Sequence, residues 1–288
     1  MLTIPRSIPL GVAVGLAAIY LAYVWQLGDK AHWGMSIIFG LAILSLLWDR
    51  TSQKPESQTE TPMPRPLRFA VGLGVASIAA ILALSIRFSE SEVFIRLMPP
   101  MSGIGVALLA AGFRGLMVYW QELALLFFLG VPGVVFSLIQ DISPITARFS
   151  ALLLWYVGFD PQVNGVYLML GERAIEVWEG CSGAESICYM IGIAAVCLAL
   201  YPVKSRLFQV VAILAAAFLG FLINGIRVAL MAFLISKENI DAFLYWHEGD
   251  GSLLFGIGSV VLFGLIYWPV SRLLAEPVKP SPDQDAAY

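Results

Sequence analysis

The sequence predicts an all-α polytopic membrane protein of about eight transmembrane helices, with a small extracytoplasmic β-hairpin ahead of the sixth helix. Three observations lead there. Of 288 residues, 59% are hydrophobic and 13% charged, whereas soluble domains sit near half and a quarter. Apolar runs near the ~20 residues that cross a bilayer recur along the chain. Most charges fall in the connections between those runs.

The first run, 8–27, follows a single arginine, Arg6. It is longer than the apolar region of a signal peptide and no small-x-small cleavage site follows, so it reads as a retained first helix. The second run is 32–48. A polar, proline-rich stretch, 49–67, then reads as a flexible cytoplasmic linker. Further spans are predicted at 68–86, 98–113, 119–139, 183–201, 207–235 and 251–268, of which the second and fourth of the eight are short enough to be tilted or re-entrant. The tail 271–288 resembles the linker.

Orientation follows from Lys and Arg. With the N-terminus inside, ten of the 17 cations lie on the cytoplasmic side, six lie outside and Arg227 falls within a span. The tight PVKSR loop at 202–206 is the best anchor. If it is cytoplasmic, the sixth span begins outside near Cys181. The seventh starts inside, and twenty residues of helix raise Arg227 about 30 Å, to the outer boundary. His247 is expected in the outer loop that follows. The outside segment 140–182 contains NGVYLML and RAIEVWEG around a Gly-Glu turn, which predicts the hairpin leading to Cys181.

EVWEGCSGAES, residues 176 to 186, is the most informative stretch. Cys188 and Cys197 sit in an apolar helix and read as small buried hydrophobes. Cys181 and Cys188 are roughly 10 Å apart along a helix, too far for a disulfide. Cys181 lies instead at a helix N-terminus, where unpaired N–H groups and the positive dipole end favour a thiolate. Gly180 and Gly183 permit close approach of another backbone. Ser182 is a substrate-contact candidate or a helix cap.

Arg227 and Asn224 share one helix face in FLINGIRVALMAF. A cation inside a membrane helix is costly and marks function by default, although a snorkelling arginine and an interhelical asparagine account for them equally. Two donors on one face suit an oxyanion or a substrate carbonyl. His247, beside Tyr245 and Trp246, reads as an aromatic-belt residue taken alone; paired with a cysteine on the same side it becomes a general base and acid. Glu248 and Asp250 could orient it. Glu179 and Glu185 flank the cysteine, where their charge opposes a thiolate, so they are expected to meet the substrate or Arg227.

Gly180-Cys181-Ser182-Gly183, Asn224-Gly225-Ile226-Arg227 and His247, in that order on successive elements, resemble the exosortase/archaeosortase family, with wording closest to its cyanobacterial branch. The resemblance spans about 145–268. It implies a membrane-embedded cysteine protease or transpeptidase with catalytic Cys181, Arg227 and His247. Asn224, Glu179, Ser182 and Gly183 would then contact substrate. It divides the chain into N-terminal membrane helices (1–139), a catalytic region (140–270) and a tail. The implied substrates are membrane-anchored proteins with a C-terminal tail made of a Pro-Glu-Pro motif, one membrane helix and a basic cluster. The implied place is the outer face of the cytoplasmic membrane, with an amine on a lipid or surface polymer as a possible acceptor. No metal, organic cofactor or nucleic-acid partner is expected. The rival from another class is a transporter with Arg227 and Asn224 in its substrate path.

Overall fold

A computed structural model describes residues 7–52, 65–139, 141–247 and 250–274. Residues 53–64 of the linker, 275–288 of the tail and Glu248 lie outside the described residues, while 49–52, 65–67 and 271–274, predicted as linker and tail, belong to helices. The chain is a bundle of helices with one small sheet at one end. It enters as an antiparallel pair, α1 (Ser7–Gln26) and α2 (Lys30–Ser52), turning at Gly28 with φ +75°. α3 (Arg65–Arg87) and α4 (Glu92–Ala111) form the next pair. Ser91 caps α4 by accepting the Phe94 N–H, so the helix starts well before the predicted 98 and is a full span rather than a short one. The sequence signal was masked by Arg96, Pro99 and Pro100. Both prolines are buried inside the helix, where surrounding helices compensate for the lost donors. α3 and α4 also touch backbone to backbone: a Cβ on Gly74 would lie 2.8 Å from the Gly105 carbonyl oxygen.

A one-turn helix, α5 (Phe113–Val118), leads into α6 (Trp120–Ile139). The α6 start is tied to the α2 end by Arg50, whose Nε donates to Glu122 Oε1 at 2.7 Å. The region 140–182, predicted as a long outer segment with a hairpin, departs from that expectation. It begins with a helix, α7 (Ser143–Tyr156), and its strands number three. β1 (Pro161–Asn164), β2 (Tyr167–Leu170) and β3 (Arg173–Glu176) form an antiparallel meander in the order β1-β2-β3. Gly165 and Gly171, at φ +62° and +65°, open two-residue turns of the kind that place glycine first. The prediction took Asn164-Gly165 as strand, although Asn-Gly is itself a hairpin turn signal. Along β2, Leu168 and Leu170 are buried and Tyr167 is exposed, so the sheet seats one face on α7 and α9.

α8 (Ala184–Leu200) and α9 (Arg206–Ser236) follow, then α10 (Ile240–His247) and α11 (Asp250–Leu274). Six helices among the described residues are long and apolar enough to cross a membrane, and α6 and α8 contain shorter apolar stretches, Trp120–Val135 and Ala184–Leu200. The protein is therefore an all-α multi-pass membrane protein with a small sheet. Its main core joins α1, α2, α4, α6, α8, α9 and α11 around Phe39, Met98, Leu125 and Ala194. A second core lies under the sheet, where Leu168, Val177 and Cys181 meet Ala147 of α7 and Val228 of α9. This second core positions the site.

Candidate functional site

From β3 the chain runs through buried Val177, whose N–H pairs back to the Val166 carbonyl at 2.9 Å. It then tightens into a 3-10 turn over Glu179–Cys181. The Cys181 N–H donates to the Trp178 carbonyl at 2.8 Å and the Ser182 N–H to the Glu179 carbonyl at 3.1 Å. Gly180 is small for a reason: a Cβ there would lie 2.8 Å from the Trp178 indole. Ser182 Oγ donates to the Glu179 carbonyl at 2.7 Å and accepts the Ala184 N–H at 3.3 Å. Its hydroxyl thus serves the turn, although the cap position of α8 itself falls to Gly183. Gly183, at φ +91°, turns the chain into α8.

Two neighbouring helices hold this turn by its carbonyls. Buried Asn224 of α9 donates its Nδ2 to the Cys181 carbonyl at 2.9 Å. Thr146 of α7 donates its hydroxyl to the Ser182 carbonyl at 2.5 Å. Ser150, one turn on, donates to the Gly225 carbonyl at 2.9 Å and so binds α7 to α9. Gly225 makes room for the Phe149 ring, with which a Cβ there would collide. Thr146 and Ser150 were not singled out from the sequence. The available signal was the spacing of small residues Ser143, Thr146, Ala147, Ser150 and Ala151, all buried on one α7 face.

His247, expected in a loop, ends a helix instead. Phe243 and Asn239 explain why: the Phe243 N–H closes on the Asn239 carbonyl and Asn239 Oδ1 accepts the Ala242 N–H at 3.1 Å. Phe243, one turn earlier on α10, stacks on the imidazole with ring centroids 5.2 Å apart and planes 15° apart. The ring Nε2 lies 3.3 Å from Cys181 Sγ. Arg227 of α9 reaches the end of the same helix. Its Nη2 donates to the His247 carbonyl at 2.7 Å and its Nε to the Trp246 carbonyl at 3.3 Å. Carbonyls in a helix's last turn lack intrahelical donors and carry the negative dipole end, so a guanidinium is the fitting partner.

Cys181 is only 4% exposed, yet it lines a cavity of about 220 Å³ with His247. β3 contributes Ala174, Ile175 and Glu176; α9 contributes Met231 and Ile235; Phe243 and Trp178 complete the wall. The carboxylate at the cavity is therefore Glu176, not Glu179, which is exposed on the turn. Glu185 does not pair with Arg227. It forms an ion pair with Arg96 of α4 at 2.5 Å and accepts from Tyr189 at 2.8 Å. Tyr189 continues to His32 at 2.9 Å and His32 to Tyr20 at 2.7 Å. This chain of polar groups ties α8 to α1, α2 and α4 immediately below the cysteine turn. Asp29, in the α1–α2 turn, joins it through Arg96; burial, reinforced by the Glu185 charge, raises its pKa above the ordinary carboxylate value.

Gly183→Ala should show how tightly the turn is held. The left-handed backbone costs an L-residue about 1–2 kcal/mol. The new Cβ would lie 2.7 Å from Asn224 Nδ2 and push the amide off the Cys181 carbonyl. We expect a loss of about 2 kcal/mol or more, read as a lowered thermal unfolding midpoint in detergent. A wild-type midpoint would contradict the packing described.

These features define a multi-pass membrane protein in which a cysteine and a histidine from separate elements meet in a cavity at one end of the helical bundle. The sequence pattern of the family Transmembrane exosortase (Exosortase_EpsH) matches residues 6–264. The chain belongs to the transmembrane exosortase family, and is thus a membrane sorting enzyme in the broad sense. No curated protein and no solved structure matches it.

Proposed function

We propose that this chain is a cysteine protease or transpeptidase that removes C-terminal sorting tails from membrane-anchored proteins. The observation that carries the reading is the 3.3 Å approach of His247 Nε2 to Cys181 Sγ at the cavity. His247 takes the thiol proton and the sulfur attacks the carbonyl carbon of the scissile peptide bond. The resulting oxyanion forms near the Arg227 charge. The C–N bond then breaks, His247 returns the proton to the departing amine, and the upstream part of the substrate remains on Cys181 as a thioester. Water releases a carboxylate; an amine on a lipid or surface polymer forms a new amide. In this reading Arg227 has two tasks, holding the backbone of His247 and supplying positive potential. Asn224, Gly183 and Ser182 maintain the turn that carries the sulfur, and Glu179 is left to meet the substrate from the exposed rim.

The substrate tail we propose is a Pro-Glu-Pro motif followed by a membrane helix and a basic cluster. The site is assigned to the outer face of the cytoplasmic membrane. Lys204 and Arg206, in the tight loop at the far ends of α8 and α9, favour the cytoplasm for that opposite end. The transporter reading is less well supported, because Asn224 and Arg227 donate to the Cys181 turn and to the end of α10.

The test is co-expression with a reporter protein carrying such a tail, with its mass read from the isolated reporter. A shortened reporter in cells with this chain, and a full-length one in cells without it, is the expected result. A C-terminus heavier than the hydrolysis product identifies transfer. An unshortened reporter beside well-inserted enzyme would overturn the proposed tail specificity.

A further inference from the structure

We propose that the free edge of β3 binds the substrate as an added, extended strand and so delivers its scissile carbonyl to Cys181. This rests on the protease reading above. The sheet order β1-β2-β3 leaves β3 at an edge. The phase of its ladder is fixed by two features. The Val177 N–H bonds the Val166 carbonyl, and Leu170 faces Arg173 across the two-residue turn. In an antiparallel pair, hydrogen-bonded and non-bonded residue pairs alternate. The bonded pairs are therefore Val166 with Val177, Leu168 with Ile175, and Leu170 with Arg173. Ala174 and Glu176 fall between them, so their N–H and C=O groups point away from β2. Among the described residues, neither main chain has a hydrogen-bond partner on that side.

Those same two residues line the cavity that holds Cys181 and His247. Bare edges are normally blunted by proline, charge or a covering element. Both edges of this sheet have some cover: β1 begins with Pro161 and packs beside α7, and β3 carries Arg173 and Glu176 and packs beside α9. What sets the β3 edge apart is that its unpaired main-chain groups belong to residues lining the cavity of the cysteine. From Glu176 the chain reaches Cys181 through the fixed 3-10 turn, so a peptide in register on β3 is in register with the sulfur. Strand addition uses main-chain groups and tolerates varied side chains. It also suits the proposed motif. In an extended Pro-Glu-Pro the two prolines place their missing N–H positions on one edge. The central residue presents its N–H and C=O on the other, where a single edge residue of β3 can pair with both.

The experiment measures the initial rate of reporter shortening in Ala174→Pro and Ala174→Val. Proline deletes the outward N–H without touching the β2 ladder; valine keeps it. Ala174→Pro should be slower than both wild type and Ala174→Val, which shares its added bulk but keeps the N–H, by at least about tenfold. Alkylation of Cys181 by iodoacetamide, read by peptide mapping, should be unchanged in both. On the wild-type enzyme, a Pro-Pro-Pro reporter should be processed at least about tenfold more slowly than Pro-Gln-Pro, which retains the central N–H. Wild-type rates in Ala174→Pro, equal losses in the proline and valine variants, or equal rates for the two reporters would each overturn strand addition. So would an oligomer that dissociates in Ala174→Pro with processing intact, which would give the edge to a second copy. Failure of the protease reading looks different: a reporter cut equally well by Cys181→Ala.

Discussion

Cys181→Ala is expected to abolish reporter processing, by at least about a thousandfold, because the nucleophile works as a unit with its base and its removal leaves no covalent route. The folded chain should survive the change. Cys181 lies in the smaller core with Leu168, Val177 and Val228, and deleting one sulfur atom there costs on the order of 1 kcal/mol. The hydrogen bonds by which Cys181 holds the turn use its backbone: the Cys181 carbonyl to Asn224 and the Cys181 N–H to Trp178. Alanine keeps every one of them. Membrane yield and thermal midpoint should therefore stay near wild type while the reporter keeps its full mass. Cys181→Ser should be almost as inactive, since His247 at this distance must deprotonate a far weaker acid. Reporter shortening by Cys181→Ala at any rate close to wild type would sink the cysteine mechanism.

Arg227→Ala carries the second large effect. Its guanidinium makes the two hydrogen bonds that fix the carbonyls of Trp246 and His247, and no other side chain described here replaces that fork. Losing it frees the end of α10, and with it the imidazole that must stay within reach of Cys181. We expect at least a hundredfold loss of processing, a range typical of displaced catalytic geometry. Poor insertion is not an alternative cause, because removing a cation from a membrane helix favours insertion. Arg227→Lys should recover only part of the rate: the charge returns, but an ammonium cannot reproduce the planar fork. The pH profile of Cys181 alkylation separates positioning from structure. Arg227→Ala should shift it in the same way as His247→Ala. An unshifted profile, or a wild-type rate of processing, would refute the assignment.

The site was half legible in the chain. Cys181 and Arg227 stand out as a reactive and an expensive residue in an apolar setting, whereas His247, an aromatic-belt residue taken alone, stands out only because span counting sends all three to one end of the bundle. Their partners are ordinary residues, and here the sequence was mute. Thr146 and Ser150 read as loop because α7 is only fourteen residues long and polar on its packed face, so it fails every test for a membrane run. Glu176 reads as one more strand residue until β3 is seen beside the cavity. Glu185 looked like a partner for Arg227, yet Arg96, eighty-nine positions away, claims it. No local pattern encodes a contact of that kind.

Composition and periodicity determined by themselves that this is a multi-pass helical membrane protein, because a bilayer accepts only long apolar segments with satisfied backbones. Motifs and span orientation, rather than composition, singled out Cys181, Arg227 and His247 as candidates. Only the tertiary structure decided what those residues touch. Asn224 grips the cysteine turn by its Cys181 carbonyl. Arg227 clamps a helix end, His247 sits on that helix rather than in a loop, and a strand edge opens beside the sulfur. Hydropathy acts along one helix at a time, whereas side-chain hydrogen bonds depend on how helices distant in sequence are brought within 3 Å of one another, and that is set by packing.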